Sequence, residues 1–249
     1  MSDELFEKVL EDLRAIPTSL PLTIVPNGVN EPFMDRKMFP RLRRINEVLP
    51  AAKLLIFTNL NVVRSGFFDE LSKIRNISRI NVSFNAANEE EYKSAMGISF
   101  ERTVNALREL MRHQKRARFV REPVLLSRVA DGTDADERYK RDCQSLFNEF
   151  VLDRDYSVSV KRAADWLGES ANVTSKVEGA LPCSQWLALT VHNDGTVPHC
   201  CMDASGQFKL GNASETHVLD LYNSPGFRSL RETALRREFA SPCHTCSLV

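Results

Sequence analysis

The sequence is 249 residues long, 43% hydrophobic, with 33 basic and 33 acidic side chains and a formal net charge of zero. A chain of this size can bury a sizeable core as one or two domains. Its balanced charge leaves no basic footprint for nucleic acid, and no apolar run approaches the ~18 residues of a membrane span. With no n-region, apolar h-region or cleavage site for secretion, the expected protein is globular and cytoplasmic, with neither nucleic acid nor membrane as a partner.

Taken in order, residues 3–14 place Leu5, Phe6, Val9, Leu10 and Leu13 on one helical stripe with acids in the first turn. Leu20 to Val25 reads as a short buried strand ended by Pro26-Asn27-Gly28. A helix around residues 41–48 leads to a strand at 53–57, a helix near 67–74 to a strand at 79–84, and a longer helix carries Phe100, Val104, Leu107 and Met111. A fourth strand lies within 118–129. A helix with Tyr139, Cys143, Leu146, Phe147 and Phe150 on its apolar stripe precedes a fifth strand at 156–160. Strands alternating with helices predict right-handed βαβ units and a parallel sheet. In such sheets function gathers at the carboxyl ends of the strands. The polar residues there are Asn27, Asn30 and Glu31, Thr58 and Asn59, Ser83 and Asn85, and Ser127 and Arg128. One carboxylate, several amides and an arginine suit a zwitterionic, ribose-bearing ligand.

The last quarter of the chain is different. It reads Cys183-x11-Gly195-x4-Cys200-Cys201, then after 41 residues Cys243-His244-Thr245-Cys246. Thiolates at such spacing suit a tetrahedral sulfur site, an iron–sulfur cluster or structural zinc. Gly195, in His192-Asn193-Asp194-Gly195-Thr196 between two apolar runs, predicts a hairpin that folds Cys183 towards Cys200. Closing the long gap costs roughly 3 kcal/mol plus a constant, whereas a four-thiolate site returns on the order of 10 kcal/mol. Metal can therefore hold the segment together. A helix is expected over 225–239, capped by Ser224 with Pro225 in its first turn. Phe227, Leu230, Ala234 and Leu235 form its apolar stripe, set to cover the metal site, and Arg228, Arg231, Arg236 and Arg237 are largely solvated.

Pro182-Cys183, Asp194-Gly195-x-Val197-x-x-Cys200-Cys201, Leu210-Gly211-Asn212, Leu221-Tyr222-Asn223 and Pro242-Cys243-x-x-Cys246 together resemble a SPASM domain, the C-terminal extension of many radical S-adenosylmethionine (radical SAM) enzymes. The resemblance implies its short form, with one auxiliary [4Fe–4S] cluster on Cys183, Cys200, Cys243 and Cys246. Cys201 is an alternative to Cys200. Upstream, Gly28-Val-Asn-Glu31-Pro32 resembles the segment of those enzymes that binds the methionine amino group, and Phe57-Thr58-Asn59 and Val82-Ser83-Phe-Asn85 resemble the ends of their next two strands. It implies Glu31, Asn59, Ser83 and Arg128 as contacts for S-adenosylmethionine, in a family that generates a 5′-deoxyadenosyl radical to modify a peptide or small metabolite. A flavodoxin or ferredoxin is the implied reductant. The expected architecture is α/β: a partial (β/α) barrel over 1–167, a hinge at 168–180, and a SPASM domain over 181–249.

The sequence departs from that pattern in three places. It reads Val29-Asn30 before Glu31, it places Leu60 where glycine is usual, and it contains no Cys-x3-Cys-x2-Cys loop for the radical-generating cluster. The chain as written, apparently short of that N-terminal segment, is therefore expected to be catalytically inactive. Two further readings compete: a non-catalytic iron–sulfur protein for electron transfer or partner binding, and a zinc-stabilised binding module. Cys143 belongs to an apolar stripe and reads as core. His192, His199, His217 and His244 flank the metal segment, where hydrogen bonding or surface exposure fits them better than ligation. The sequence holds no nucleophile triad, phosphate-binding loop or dinucleotide fingerprint.

Overall fold

A computed structural model describes residues 1–164, 166, 183–233, 243 and 246. The chain divides into two compact units, Thr18–Arg162 and Met1–Pro17 with Ala163–Val249. Among the described residues no helix is long and apolar enough to cross a membrane.

The first unit is an all-parallel sheet of β1 (Thr23–Ile24), β2 (Lys53–Thr58), β3 (Ile77–Ser83), β4 (Val124–Val129) and β5 (Tyr156–Lys161), in that spatial order. The intervening helices are α2 (Met38–Val48), α3 (Phe67–Ser72), α4 (Glu89–Met96), α5 (Phe100–Ala117) and α6 (Asp134–Leu146). This is the arc of a (β/α) barrel, as the alternation of elements predicts. One sheet face buries Leu54, Ile56, Ile80, Val82, Val124 and Leu126. Leu107, Leu110 and Met111 of α5 are fully buried, each contributing about 1.5–3 kcal/mol of transfer free energy. Ser99 caps α5 by accepting the Arg102 N–H, and Arg118 ends it in the left-handed region at φ 46°.

One strand is shorter than expected, and another takes the latter half of its expected range, each for a backbone reason. β1 keeps only two residues because Pro21 and Pro26 bracket it and cannot donate to a ladder. β4 starts at Val124 because Arg118 caps a helix and Pro123 immediately precedes the strand.

In the second unit β6 (Thr196–Pro198) and β7 (Lys209–Asn212) form an antiparallel pair. The Gly195 turn forms as expected, with Gly195 donating to the His192 carbonyl, but its hairpin partner does not. β6 pairs with 209–212 rather than with the apolar run before the turn. The reason is local: Gly195 takes φ +88°, and a Cβ there would fall 2.4 Å from the Asn212 side chain that β7 supplies. At Gly211 a Cβ would fall 2.4 Å from Leu221, so glycine lets the next helix seat on the ladder.

That helix is α7 (Val218–Tyr222), followed by α8 (Pro225–Thr233). Beyond residue 233 the expected span of α8 lies outside the described residues, as does the 168–180 hinge. Among the described residues a core cluster of this unit comprises Leu5, Val197, Ala213, Val218 and Leu221. Leu5 belongs to α1 (Asp3–Leu13), which by its contacts is part of this unit rather than of the sheet-bearing one. Asp12 explains why. Its carboxylate accepts the Val218 N–H at 3.0 Å and the Lys8 ammonium at 2.7 Å, while Lys8 also donates to the Thr216 carbonyl.

Candidate functional site

The carboxyl end of the sheet is organised by Glu31. Its Oε1 accepts the Thr58 hydroxyl at 2.7 Å and the Phe33 N–H at 3.3 Å, which caps a single 3-10 turn, Pro32–Met34. Its Oε2 accepts the Asn59 N–H at 2.6 Å. A carboxylate offers about four acceptor positions, so three bonds leave room for one more donor, such as an ammonium group. The Asn59 loop is braced from α4 and α5: Tyr92 donates to Thr103, whose hydroxyl donates to the Asn59 carbonyl. Burial, with a smaller contribution from the Glu31 charge, pushes the Tyr92 phenol pKa up and keeps it protonated as a donor. Leu60 sits at φ 57° and is buried, so the departure from glycine is accommodated by packing.

Further along the sheet end, Ser83, Ser127 and Ser159 lie side by side in register. In the row below, Phe57, Asn81, Leu125 and Ser157 align. Asn81 is 2% exposed and its Oδ1 has no hydrogen-bond partner. Lys161 lies 5.5 Å from the Phe57 ring, its pKa held down by burial and then by Arg79. Asn81, Ser159 and Lys161 were not singled out from the sequence. The signal for the last two was present in the alternation Ser157, Ser159, Lys161 along one face of β5.

Arg128 is engaged by neighbouring loops of the protein itself. It is 3% exposed; Nε donates to Asp136 at 2.7 Å, Nη2 to Asp131 at 2.6 Å, and Nη1 to the Asn85 carbonyl. Burial alone would lower its pKa, but those two carboxylates outweigh it and the pKa rises. Asn85 in turn holds the left-handed region at φ 52° and accepts the Val129 N–H at 2.8 Å. The guanidinium thus clamps two loops at the ends of β3 and β4.

In the second unit, Cys200, Cys243 and Cys246 are buried and Cys183 is half-buried. Burial, with lesser contributions from the Cys201, Cys243 and Cys246 thiols, pushes the Cys200 thiol up to about 12. Cys201 is exposed, and its thiol donates to Gln185 Oε1 at 3.2 Å. The loop carrying this Cys-Cys pair is fixed by Asp203, which accepts the Gln207 and Phe208 N–H groups at 2.8 and 2.9 Å. Cys246 N–H closes on the Cys243 carbonyl, giving a Cys-x-x-Cys turn. Beside it, buried His199 places Nε2 3.0 Å from Cys243 Sγ. Among the described residues no three His, Cys, Asp or Glu side chains close around one ion-sized point. The donor set nonetheless fits an iron–sulfur cluster in kind: soft sulfur groups, sequestered from water, with no carboxylate among them. Phe227 of α8 is buried, and Arg231 stacks over Tyr222 and Phe227 at 4.3 and 5.2 Å rather than lying free in solvent.

A partial (β/α) barrel is joined in one chain to a unit that carries buried thiols. Residues 183–247 match the SPASM family model, described as an iron–sulfur cluster-binding domain. The fold is that of radical SAM enzymes that carry a SPASM domain. BtrN in complex with AdoMet and 2-DOIA superimposes with a TM-score of 0.64 at 16% identity, over 100% of this chain and 81% of BtrN. SuiB of Streptococcus suis bound to the precursor peptide SuiA gives 0.66 at 14% identity, over 98% of this chain and 62% of SuiB. anSMEcpe with bound AdoMet and the Cp18Cys peptide gives 0.65 at 12% identity, over 99% and 80%. No curated protein matches the chain in sequence.

Proposed function

We propose that this chain is an iron–sulfur protein of the radical SAM/SPASM type whose C-terminal unit holds one auxiliary [4Fe–4S] cluster on Cys183, Cys200, Cys243 and Cys246. The observation that carries this reading is the shared burial of Cys200, Cys243 and Cys246 inside the segment matched as an iron–sulfur domain. When bound, such a cluster supplies one-electron transfer. The chain's own contribution is a dry pocket, a Cys-Cys loop fixed by Asp203, and a Cys-x-x-Cys turn. Anaerobic reconstitution with iron and sulfide tests the reading. About four irons per chain and a broad band near 400 nm are expected, lost in Cys243→Ser and retained in Cys143→Ser. Zinc in place of iron, or iron loss in the Cys143 variant, would refute it.

The sheet end is proposed to take S-adenosylmethionine, which BtrN and anSMEcpe bind. Glu31 offers its spare acceptor position to the amino group, Asn59 and Ser83 line the same edge, and Arg128 acts through the loops it clamps. A peptide fits as substrate, since SuiB and anSMEcpe are seen with peptides. Val29, Met34 and Val129 expose apolar surface at these loops, where a peptide side chain would find contact. The sequence holds no Cys-x3-Cys-x2-Cys, so the chain as written is expected to release no 5′-deoxyadenosine under dithionite. Release by this chain alone would overturn the assignment of roles.

A further inference from the structure

His199 is the one buried histidine in the thiol-bearing unit among the described residues, 4% exposed. Three elements place it. Its N–H donates to the Phe208 carbonyl at 2.8 Å, extending the β6–β7 ladder by one rung. Its ring meets the edge of Phe208 with centroids 6.4 Å apart. Nε2 then lies 3.0 Å from Cys243 Sγ.

Cys243 is one of the thiols assigned to the cluster, and the contact to it is direct. A cluster-bound thiolate carries no proton, so in such a contact the ring must be the donor.

We infer that His199 tunes the auxiliary cluster by donating an Nε2–H···S hydrogen bond to Cys243, rather than serving as a ligand. The inference rests on the cluster reading above. Hydrogen bonds to cluster sulfurs stabilise the more negative, reduced state and so raise the reduction potential. His199 is thus a positioning and tuning residue, and its signature is electrochemical.

The test uses the full chain with its cluster reconstituted anaerobically, as wild type, His199→Leu and His199→Gln. Iron and sulfide are counted first. A wild type that assembles no cluster overturns the proposed function and this inference with it. With equal loading, a redox titration read by EPR is expected to shift to more negative potential in His199→Leu. His199→Gln, whose amide nitrogen reaches the place of Nε2, should recover part of the shift. Equal potentials in all three overturn the inference, as does loss of iron in both variants. A second measurement needs no folded variant at position 199. Pulsed EPR of the reduced wild type labelled with 15N-histidine should show a weak nitrogen coupling and an exchangeable proton, both persisting in His244→Leu. A strong coupling typical of direct ligation, or none, sinks the proposal.

Discussion

The two units are held together in different ways. Residues 18–162 are organised by a continuous apolar core in which Leu54, Ile56, Val82, Phe84, Leu107 and Phe147 are essentially inaccessible to solvent. Among the described residues the second unit has a core cluster of five buried side chains, and Cys200, Cys243 and Cys246 are buried as well. Area burial sustains the first; in the second, a metal bound to the buried thiols would add folding free energy of its own. A fold of the second kind is coupled to its cofactor, and a fold of the first kind is not.

The largest effect that contrast predicts comes from removing the cluster. Chelation, or Cys243→Ser, withdraws on the order of 10 kcal/mol from the second unit alone. Hydrogen exchange should show residues 196–222 losing protection while 53–129 keep theirs; uniform loss across both stretches would end the contrast. Next in size is Leu107→Ala, expected to cost about 2–5 kcal/mol. It should lower the melting temperature of the sheet-bearing unit while leaving iron content unchanged.

Leu60→Gly sharpens the comparison by setting two effects against each other. Glycine relieves a left-handed conformation that costs a leucine roughly 1–2 kcal/mol, but it deletes a side chain that is 1% exposed, worth about 2–5 kcal/mol. Net destabilisation of about 1–3 kcal/mol is expected in urea unfolding. A stabilised variant would mean that the backbone strain outweighs the packing.

The smallest effect is one of pH. Burial pushes the Cys143 thiol from an ordinary value of 9.0 up to about 12. The native chain then binds that proton more tightly than the unfolded chain does. Its contribution is complete below pH 9 and falls as pH rises towards 12, by at most ~1.4 kcal/mol per pH unit. Urea titrations between pH 9 and 10 should be less pH-dependent in Cys143→Ser than in wild type. An identical slope would show that the Cys143 thiol titrates alike in the folded and unfolded chain.

Much of this was legible in the sequence because it depends on short-range pattern. Leu54 to Phe57 is a continuous apolar run of strand length, as a strand covered on both faces of a parallel sheet requires, so Thr58 and Asn59 fall at a carboxyl end, and Pro26-Asn27-Gly28 ends β1 near enough for Glu31 to arrive beside them. The cysteine spacing announced a sulfur site before any fold was known. Arg128 was placed at the right end of the sheet, but its role depends on Asp131 and Asp136, whose approach is set by the turn into α6. The stripe Leu5, Val9, Leu13 said that one face of α1 is buried without saying against what. The answer depends on Asp12 meeting the first N–H of α7, a contact more than 200 residues away in sequence. β6 found its partner through space that only Gly195 leaves open.

The Asp12–Val218 contact has a consequence for the order in which the molecule is made. Residues 18–162 are continuous, and during synthesis they can collapse as soon as they clear the ribosome. Residues 3–13 emerge earlier still, yet the surface they cover does not exist until residues 196–222 have been translated. Through that interval Leu5, Val9 and Leu13 stay exposed on an amphipathic helix with no native partner, a natural handle for a chaperone. The cysteines arrive with the closing partner rather than with the waiting helix. Metal loading is thereby deferred until Cys183 to Cys246 have been translated, and a chain stalled before them would carry a formed sheet without the thiols that hold iron.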